Sequence, residues 1–578
     1  MGRDVIHSMM SLPTLPALLE HAGDPVPRST TSQLQSASIL IAGGAHAAGI
    51  AWPFAFGSGL GLTPGQPVWW LQALALVLLA LHLDGCRSSK RAAWLGWLFA
   101  TAMQCATWWW LFISLHTYGG LASPLAVIAV VGLAAFLGFY YAAVCGAFVA
   151  LRPSNGAGRA VVFAALWLLA ELGRVALFTG FPWGEGGYAQ LDGPFIGLAK
   201  LVGVHGLTFG TALAAAALAG LVRRPGWLSA TTVMTGLLLA FGMSFAVRVE
   251  KDSQSIFTTT HAAEMTGLAM RPFSVTLLQG NIAQDEKFQG SKGIPDALSW
   301  YETQLMAAKT TLVVTPETAI PLLPSSLPLG YLDLLLNRFV RPGEAPDSAS
   351  ATAAIIGIPL GNSQTGYTNS AIALKPQPAG VKDSESLTAG VYRYDKHHLV
   401  PFGEFVHPLF KWFLAIVDIP LADFNRGTLT QPPFDWQGQR LGLNICYEDL
   451  FGEELAARFR DPARSPTIFV NISNIAWFGN TIAIDQHLNI SRMRAIEFER
   501  PMLRATNTGA TAIIDYRGQV THSLERHTRG ALVGEVEGRS GLTPYAWWAS
   551  RFGLWPWWLL IALVLACAVF SRPGRGRK

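Results

Sequence analysis

Three separated segments carry side chains that could together perform acyl transfer through a thiol. The segment LGLNICYED at 441–449 places Cys446 at the end of an apolar, strand-like run. Glu317 follows another such run in TLVVTPETAI, and YRYDKHHLVPFGEF contains Lys396 and Glu404. A thiol is a poor nucleophile until a base removes its proton, and Glu317 could be that base. The ammonium of Lys396 could stabilise the negative charge that develops on the carbonyl oxygen.

Each of these residues also has a structural interpretation, and spacing alone leaves open whether the three meet. A lone cysteine at a strand end is commonly a small buried apolar residue. A glutamate after a proline commonly lies in the first turn of a helix. Lys396 precedes His397 and His398, an arrangement typical of a solvated surface patch. No further ligands follow the histidine pair at a metal-binding spacing, so we expect neither a metal nor another cofactor.

The elements that must position these residues begin with an apolar framework at both ends of the chain. The chain has 578 residues, of which 51% are hydrophobic and only 14% are charged, which is too apolar for an ordinary soluble protein. A window of membrane-spanning length predicts a polytopic α-helical bundle. Its eight predicted spans lie near 37–56, 67–84, 94–115, 124–151, 160–180, 197–221, 226–247 and 553–571.

The loops between the predicted spans alternate in charge. The loops at 57–66 and 116–123 carry no Lys, Arg, Asp or Glu, whereas Arg87, Lys90 and Arg91 lie in the loop between them. Short loops rich in Lys and Arg remain in the cytoplasm. The pattern therefore predicts that both termini are cytoplasmic and that the long polar insert before the last span is periplasmic. We attribute the net charge of +5 to this topology and expect no nucleic-acid binding.

These patterns predict seven consecutive segments. They are a cytoplasmic N-terminal tail at 1–36, seven transmembrane helices within 37–247, a tether at 248–272, an extracytoplasmic catalytic domain at 273–535, a second tether at 536–552, the eighth transmembrane helix at 553–571 and a basic cytoplasmic tail at 572–578.

The five cysteines divide between the predicted membrane-embedded part of the chain and the polar insert. Cys105, Cys145 and Cys567 fall in predicted spans, Cys86 falls in a cytoplasmic loop, and Cys446 belongs to the insert. Cys446 therefore has no partner in the insert for an intramolecular disulfide. In an oxidising compartment, such a thiol is either buried and inert or retained for its reactivity.

The insert has the pattern of one layered α/β domain, because strand-like runs alternate with helical patterns at 292–309, 452–460 and 483–500. The strand-like runs lie at 274–279, 311–315, 354–358, 369–374, 441–446, 467–472 and 511–515. In the fifth predicted span, Glu171 and Arg174 are three residues apart and can pair on one helix face. We expect that pair to orient the GFPW loop that follows.

The Glu, Lys and Cys segments, in this order, resemble the nitrilase superfamily of carbon–nitrogen hydrolases, whose αββα sandwich carries a Glu-Lys-Cys triad. Longer motifs are similar to those of the apolipoprotein N-acyltransferase family. These motifs are GFPWGEGGYAQ at 180–190, QGNIAQDEKF at 279–288, KHHLVPFGEFV at 396–406, CYEDLF at 446–451, NISNIAWFGN at 471–480, RMRAIEFERPMLRATNTG at 492–509 and GLTPYAWW at 541–548.

The resemblance implies that Glu317 is a general base, that Lys396 stabilises the oxyanion and that Cys446 is the nucleophile. Residues expected to support the site are Glu404, Tyr447 and Glu448. Residues expected to contact substrate are Phe288, Trp477 and Phe478. Two positions depart from the family pattern, since Phe288 replaces a common Trp and Ile475 replaces the Asp of NDAWFG. Both departures concern the acyl-chain or lipoprotein pocket.

The implied reaction is the last step of lipoprotein maturation. Cys446 would take a fatty acyl group from the sn-1 ester of a phospholipid, and the α-amine of an N-terminal diacylglyceryl-cysteine would then attack the thioester, with ping-pong kinetics. We expect a monomer in the bacterial inner membrane, with the lipid bilayer, a phospholipid donor and a diacylated apolipoprotein as its partners. Two alternatives are a tethered amidase that hydrolyses its thioester and a transporter with a periplasmic binding domain.

Overall fold

The computed structural model describes residues 28–227, 230–246, 272–341, 351–376, 391–406 and 423–571. Residues 1–27 of the predicted tail at 1–36, the predicted tail at 572–578 and nearly all of the predicted tether at 248–272 lie outside these ranges. The N-terminal half is helical. Its helices are α1 (Arg28–Ile50), α2 (Trp69–Gly85), α3 (Ser89–Trp108), α4 (Ser123–Leu151), α5 (Gly156–Ala176), α6 (Ala199–Arg223) and α7 (Ala230–Ala246).

Three of these helices, α4, α5 and α6, are long and apolar enough to cross a membrane. The number rises to five if each of two bent helix pairs is one span. One pair joins α3 to Leu111–Tyr118 with a bend of 63°, and the other joins Pro544–Phe552 to Trp555–Phe570 with a bend of 85°. The structure therefore supports a membrane-type bundle with three to five such helices among the described residues, while eight spans and their orientation remain predictions. Residues 28–36, predicted as part of a tail, are helical in α1.

The last helix of the chain, α12 (Trp555–Phe570), belongs to the same bundle as the N-terminal helices. Trp557 and Ile561 pack against Leu168 and Leu172 of α5. The helix that follows the polar insert therefore packs on a helix that precedes it.

The insert contains two six-stranded sheets. The first has the order β12-β1-β2-β3-β4-β5 and the second β11-β10-β9-β8-β7-β6. The strands are β1 (Phe273–Gln279), β2 (Leu312–Val314), β3 (Ala353–Asn362), β4 (Gly366–Leu374), β5 (Val391–Asp395), β6 (Phe434–Trp436), β7 (Gln439–Ile445), β8 (Ile468–Ser473), β9 (Met502–Thr506), β10 (Ala512–Ile514), β11 (Val520–Ser523) and β12 (Gly530–Val536).

Alternation along the strands builds four layers. Val275 and Leu277 of β1 pack between the sheets against β7 to β9, whereas Leu278 faces the opposite way. That outer face is covered by α8 (Gly293–Ala307) and α9 (Tyr331–Phe339). The outer face of the second sheet is covered by α10 (Ala483–Phe498) and α11 (Pro544–Phe552). The predicted αββα sandwich is confirmed.

Helix α11 lies within the segment predicted as the second tether, 536–552. Its Tyr545, Ala546 and Ala549 are buried and pack against Phe498. This part of the segment is therefore an integral layer of the domain and not a free linker, because its aromatic residues cover the sheet.

Strand direction brings the chemical segments to one edge of the sandwich. Strands β1, β2 and β3 are parallel, as are β7, β8 and β9. Glu317 comes three residues after β2, and Cys446 directly follows β7. Parallel strands present their carboxyl ends at one edge of a sheet, which is where α/β domains place their sites.

Candidate active site

Glu317, Lys396 and Glu404 form one buried ionic cluster. The Lys396 ammonium lies 3.2 Å from Glu317 Oε1 and 3.0 Å from Glu404 Oε1. Asn369, in β4, donates from one side-chain nitrogen to Glu317 Oε1 at 2.6 Å and to Glu404 Oε1 at 2.5 Å. The Asn474 backbone N–H donates to Glu317 Oε2 at 2.8 Å. Both oxygens of the Glu317 carboxylate are therefore held by donors.

The charges of this cluster decide its protonation. Burial alone would raise the pKa of Glu317, but Lys396, Asn369, Lys287 and the Asn474 N–H lower it below its ordinary value. Burial likewise opposes the charge of Lys396, yet Glu317 and Glu404 raise its pKa well above the usual range. At neutral pH, the pair is a carboxylate and an ammonium. A carboxylate in this state can accept a proton.

Cys446 occupies a strained position at the end of β7. Its φ is 52°, in the left-handed region that residues with a Cβ seldom adopt, at a cost of order 1–3 kcal/mol. Its carbonyl accepts hydrogen bonds from Asn471 Nδ2 and His487 Nε2, both at 3.2 Å. These bonds help to hold the strained conformation, in which Cys446 is half-buried and follows the fully buried Ile445.

The thiol of Cys446 is neutral at rest. Burial and the negative charge of Glu317 raise its pKa to about 12, against the opposing effects of Lys396 and a hydrogen bond with Ser473. The sulfur, Glu317 and Lys396 thus act on one another electrostatically. A thiol with this pKa reacts only if its proton is removed during the attack.

Glu448 braces the two chain segments that carry the thiol and the ammonium. Its Oε1 accepts from the His397 N–H at 2.7 Å and the His398 N–H at 3.3 Å, and its Oε2 accepts from the Ile445 N–H at 2.6 Å. The Tyr394 hydroxyl donates to the same carboxylate at 2.9 Å. Glu448 therefore links the residues after Lys396 to the residue before Cys446.

Tyr447 connects the site to the helical bundle. Its hydroxyl donates to the Gly180 carbonyl at 3.0 Å, and its ring lies parallel to that of Phe181, with centroids 6.4 Å apart. Arg174 of α5 pairs with Glu171 at 3.0 Å and donates to the carbonyl of Phe181 at 3.1 Å. The Glu171–Arg174 pair does orient the GFPW loop, as predicted.

A second buried hydrogen-bond network contacts the main-chain carbonyl of Cys446 and was not predicted from the sequence. His487 Nε2 lies 3.0 Å from Asp449 Oδ1, and Arg504 donates to His487 Nδ1 at 2.7 Å. Ser491 donates to Asp449 Oδ2 at 2.6 Å. Because Nδ1 accepts from Arg504, the hydrogen of the neutral ring lies on Nε2, which faces the Cys446 carbonyl. The amphipathic pattern of 483–500 marked the helix but gave no sign of this contact.

The three residues expected to contact substrate lie in two turns, which the Gln284–Asn474 hydrogen bond joins. Phe288 is 56% exposed after β1, and Trp477 is 41% exposed in the turn after β8. Phe478 is partly buried against Trp110, with ring centroids 4.3 Å apart. The turn also lies close to the bundle, since Ser114 donates to the Trp477 carbonyl at 2.7 Å. The Trp477–Phe478 turn therefore borders the helices.

Ile475, the residue that departs from the family motif, is fully buried in an apolar cluster shared by the bundle and the sandwich. Within the described ranges, no group of three or more His, Cys, Asp and Glu side chains is arranged to hold a metal ion.

Comparisons with known proteins cover both halves of the chain. Residues 48–217 match the model of the apolipoprotein N-acyltransferase N-terminal domain, and residues 274–545 match that of the carbon-nitrogen hydrolases. An apolipoprotein N-acyltransferase of Verminephrobacter eiseniae is 52% identical over 89% of this chain and 92% of the relative. That of Ralstonia nicotianae is 41% identical over 82% and 85%, and that of Pseudomonas aeruginosa is 34% identical over 87% and 92%.

Among solved structures, a carbon-nitrogen hydrolase from Helicobacter pylori aligns over 52% of this chain and 99% of its own length. The alignment has 16% identity and a TM-score of 0.31.

Proposed function

Because the chain belongs to the apolipoprotein N-acyltransferase family, we propose that it transfers a fatty acyl group from a phospholipid, through a thioester on Cys446, to the N-terminal α-amine of diacylglyceryl-cysteine in apolipoproteins. The observation that carries this proposal is the buried Glu317 carboxylate, paired with Lys396 and electrostatically coupled to the Cys446 thiol. The three residues have the roles of base, oxyanion stabiliser and nucleophile.

In the first half-reaction, Glu317 accepts the Cys446 proton as the sulfur attacks the ester carbonyl. The carbonyl oxygen gains negative charge, which the Lys396 ammonium stabilises. Collapse of this intermediate breaks the carbon–oxygen bond of the ester, and the departing lysophospholipid oxygen takes the proton from Glu317. The products are a lysophospholipid and the thioester.

In the second half-reaction, the neutral α-amine of the diacylglyceryl-cysteine attacks the thioester carbonyl and gives a proton to Glu317. The carbon–sulfur bond breaks, and the Cys446 sulfur recovers that proton. The amide product leaves as a triacylated lipoprotein. The two substrates use one site in turn, so the kinetics are ping-pong.

The surroundings of the site suit lipid substrates. Tyr447 and the Trp477–Phe478 turn lie where the sandwich meets the helices, and Trp110 and Trp183 are buried in the same apolar cluster. Such an apolar border can exclude water from the thioester and prevent its hydrolysis. A site next to membrane helices can also receive an acyl chain directly from the bilayer.

We further propose eight spans in the bacterial inner membrane, with the sandwich in the periplasm and both termini in the cytoplasm. The alternation of charged and uncharged loops supports this topology. One copy of the chain carries Glu317, Lys396 and Cys446, which supports action as a monomer.

Phospholipid radiolabelled in its sn-1 acyl chain tests the proposed reaction. The label should appear first on the protein and then, after addition of a diacylated lipopeptide, on the lipopeptide amine. The Cys446→Ala variant should carry no label. Release of labelled free fatty acid without transfer to the amine would instead identify a hydrolase. Unchanged labelling of Cys446→Ala would reject the proposed nucleophile.

A further inference from the structure

Lys287 is a buried lysine next to the catalytic base for which the proposed reaction has no role. It lies in the turn after β1 and is only 2% exposed. Its ammonium donates to the main-chain carbonyl of Glu317 at 3.2 Å. The next basic residue along the chain, Lys292, is exposed and pairs with Glu286. Two lysines in one turn therefore have different environments, and Lys287 alone points to the site.

The turn that carries Lys287 is rigidly placed against Glu317. The Lys287 N–H donates to the Ala283 carbonyl at 2.9 Å, which closes a helical turn. Gly293 packs so closely on this turn that a Cβ atom would overlap the Glu286 carbonyl. The backbone of the turn therefore has little room to move away from the base.

The same turn reaches the Glu317 carboxylate by a second route. Gln284 is buried and accepts a hydrogen bond from Asn474 Nδ2 at 2.8 Å. The backbone N–H of Asn474 donates to Glu317 Oε2, also at 2.8 Å. Lys287 thus contacts the main chain of Glu317 directly and Gln284 reaches its side chain through Asn474, while Lys396 and Asn369 contact the carboxylate itself.

Lys287 is the second cation that acts on the base. Lys396 and Lys287 both lower the pKa of Glu317 against the effect of burial. Glu404 shares the Lys396 and Asn369 donors with Glu317, and the negative charge of Glu317 acts on the Cys446 thiol. On the turn itself, Asp285 is exposed and Glu286 pairs with Lys292. Burial lowers the pKa of Lys287 to about 8, although Glu317 opposes this, so Lys287 is mostly cationic at neutral pH.

We propose that Lys287 is a positioning residue for Glu317. The Lys287 ammonium fixes the main chain of Glu317 and keeps the Glu317 carboxylate ionised and ready to accept the Cys446 proton. This inference rests on the proposed acyl transfer. A burial role alone would need only an apolar side chain of similar length. The observed contact needs more than an apolar side chain, because the Lys287 ammonium donates a hydrogen bond to Glu317 itself.

The test is the pH dependence of thioester formation in the full-length protein. The rate at which purified protein gains an acyl group from phospholipid in mixed micelles is followed by intact-protein mass spectrometry between about pH 3 and pH 9, a range that begins below the ordinary pKa of Glu. Three substitutions separate charge from packing. Lys287→Met removes the charge and the donor, Lys287→Gln keeps a donor without the charge, and Lys287→Arg keeps the charge. Lys292→Met is the matched control, because that side chain is exposed.

We expect the acid limb of the profile to move to higher pH in Lys287→Gln and Lys287→Met and to stay in place in Lys287→Arg and Lys292→Met. The reason is that loss of the cation makes the Glu317 carboxylate easier to protonate. A uniform loss of rate in Lys287→Gln, with no movement of the acid limb, would overturn the inference. If Lys287→Met fails to fold, judged by its thermal unfolding, Lys287→Gln decides the outcome. Absence of an acyl adduct on the wild-type protein would instead overturn the proposed function, which distinguishes the two failures.

Discussion

The hydrogen bonds of Glu448 give a demanding prediction, because one of them should be lost even in a variant whose side chain keeps the same shape. In Glu448→Gln, the amide oxygen can replace only one of the two carboxylate oxygens. The amide nitrogen must then face either the Ile445 N–H or the N–H groups of His397 and His398. Whichever way the amide turns, its NH2 group would face a backbone N–H, and that N–H would lose its acceptor.

The size of the effect follows from these contacts. Loss of one hydrogen bond to a charged acceptor costs about 1.5–3 kcal/mol, and a buried N–H left without an acceptor costs about 1–3 kcal/mol. A combined loss of about 3 kcal/mol corresponds to roughly a 100-fold change in rate, if the brace positions both the nucleophile and the ammonium for the transition state. We therefore expect thioester formation to slow by roughly 100-fold, well beyond what a near-isosteric change on a surface would cause.

The assay compares acylation rates of wild type, Glu448→Gln and a control, Glu535→Gln, by intact-protein mass spectrometry. Glu535 is exposed in β12, so its substitution should leave the rate unchanged. The thermal unfolding temperature of each variant shows whether the sandwich remains folded. A folded Glu448→Gln protein that acylates at the wild-type rate would refute the argument that this carboxylate holds the two segments together.

Three further predictions concern packing, pH and the state of the thiol. Gln486→Leu should lower the thermal unfolding temperature, because it leaves the buried indole N–H groups of Trp110 and Trp183 without their shared acceptor. Each unsatisfied N–H costs about 1–3 kcal/mol of stability. An unchanged unfolding temperature would contradict this prediction. Glu317 contributes stability that is complete above its ordinary pKa of 4.5 and is lost as the pH falls through the lower pKa of the folded state. The stability difference between wild type and Glu317→Gln, followed by thermal unfolding, should therefore narrow below pH 4.5, and a constant difference would argue against an ionised Glu317. Alkylation of Cys446 by iodoacetamide at pH 7.5 should be slower than that of free glutathione, and its rate should rise with pH toward about 12. Cys446→Ala gives the background from the other cysteines. Fast alkylation of Cys446 at neutral pH would show a resting thiolate.

The positions of Glu317 and Cys446 could be predicted from the sequence because each follows a strand-like run. Glu317 and Cys446 come after strands that are short, apolar and bounded by clear turn signals, so their place at a sheet edge is a local property of the chain. The Asn369 amide, in contrast, lies inside a predicted strand. Its bonds to Glu317 and Glu404 depend on how β4 faces the residues after β2 and β5, which no spacing reveals.

Errors in the predicted organisation have similar causes. Residues 544–552 are rich in aromatic side chains next to the last span, a pattern typical of a membrane-interface tether, yet Tyr545 and Ala549 pack on the sandwich as α11. Strands β5, β6, β9, β11 and β12 went unpredicted. Of these, β9 contains Arg504 and β12 contains Gly530 and Gly534, which are residue types with a weak preference for strands. Pairing with neighbouring strands overrides such weak local preferences.

Mass spectrometry of the wild-type protein after incubation with phospholipid tests the central claim most directly. The account predicts a mass increase of one fatty acyl group, located on the peptide that contains Cys446, removed by hydroxylamine and absent from Cys446→Ala. A protein that transfers acyl groups to a diacylated lipopeptide while its 446 thiol stays unmodified at every time point would contradict the account.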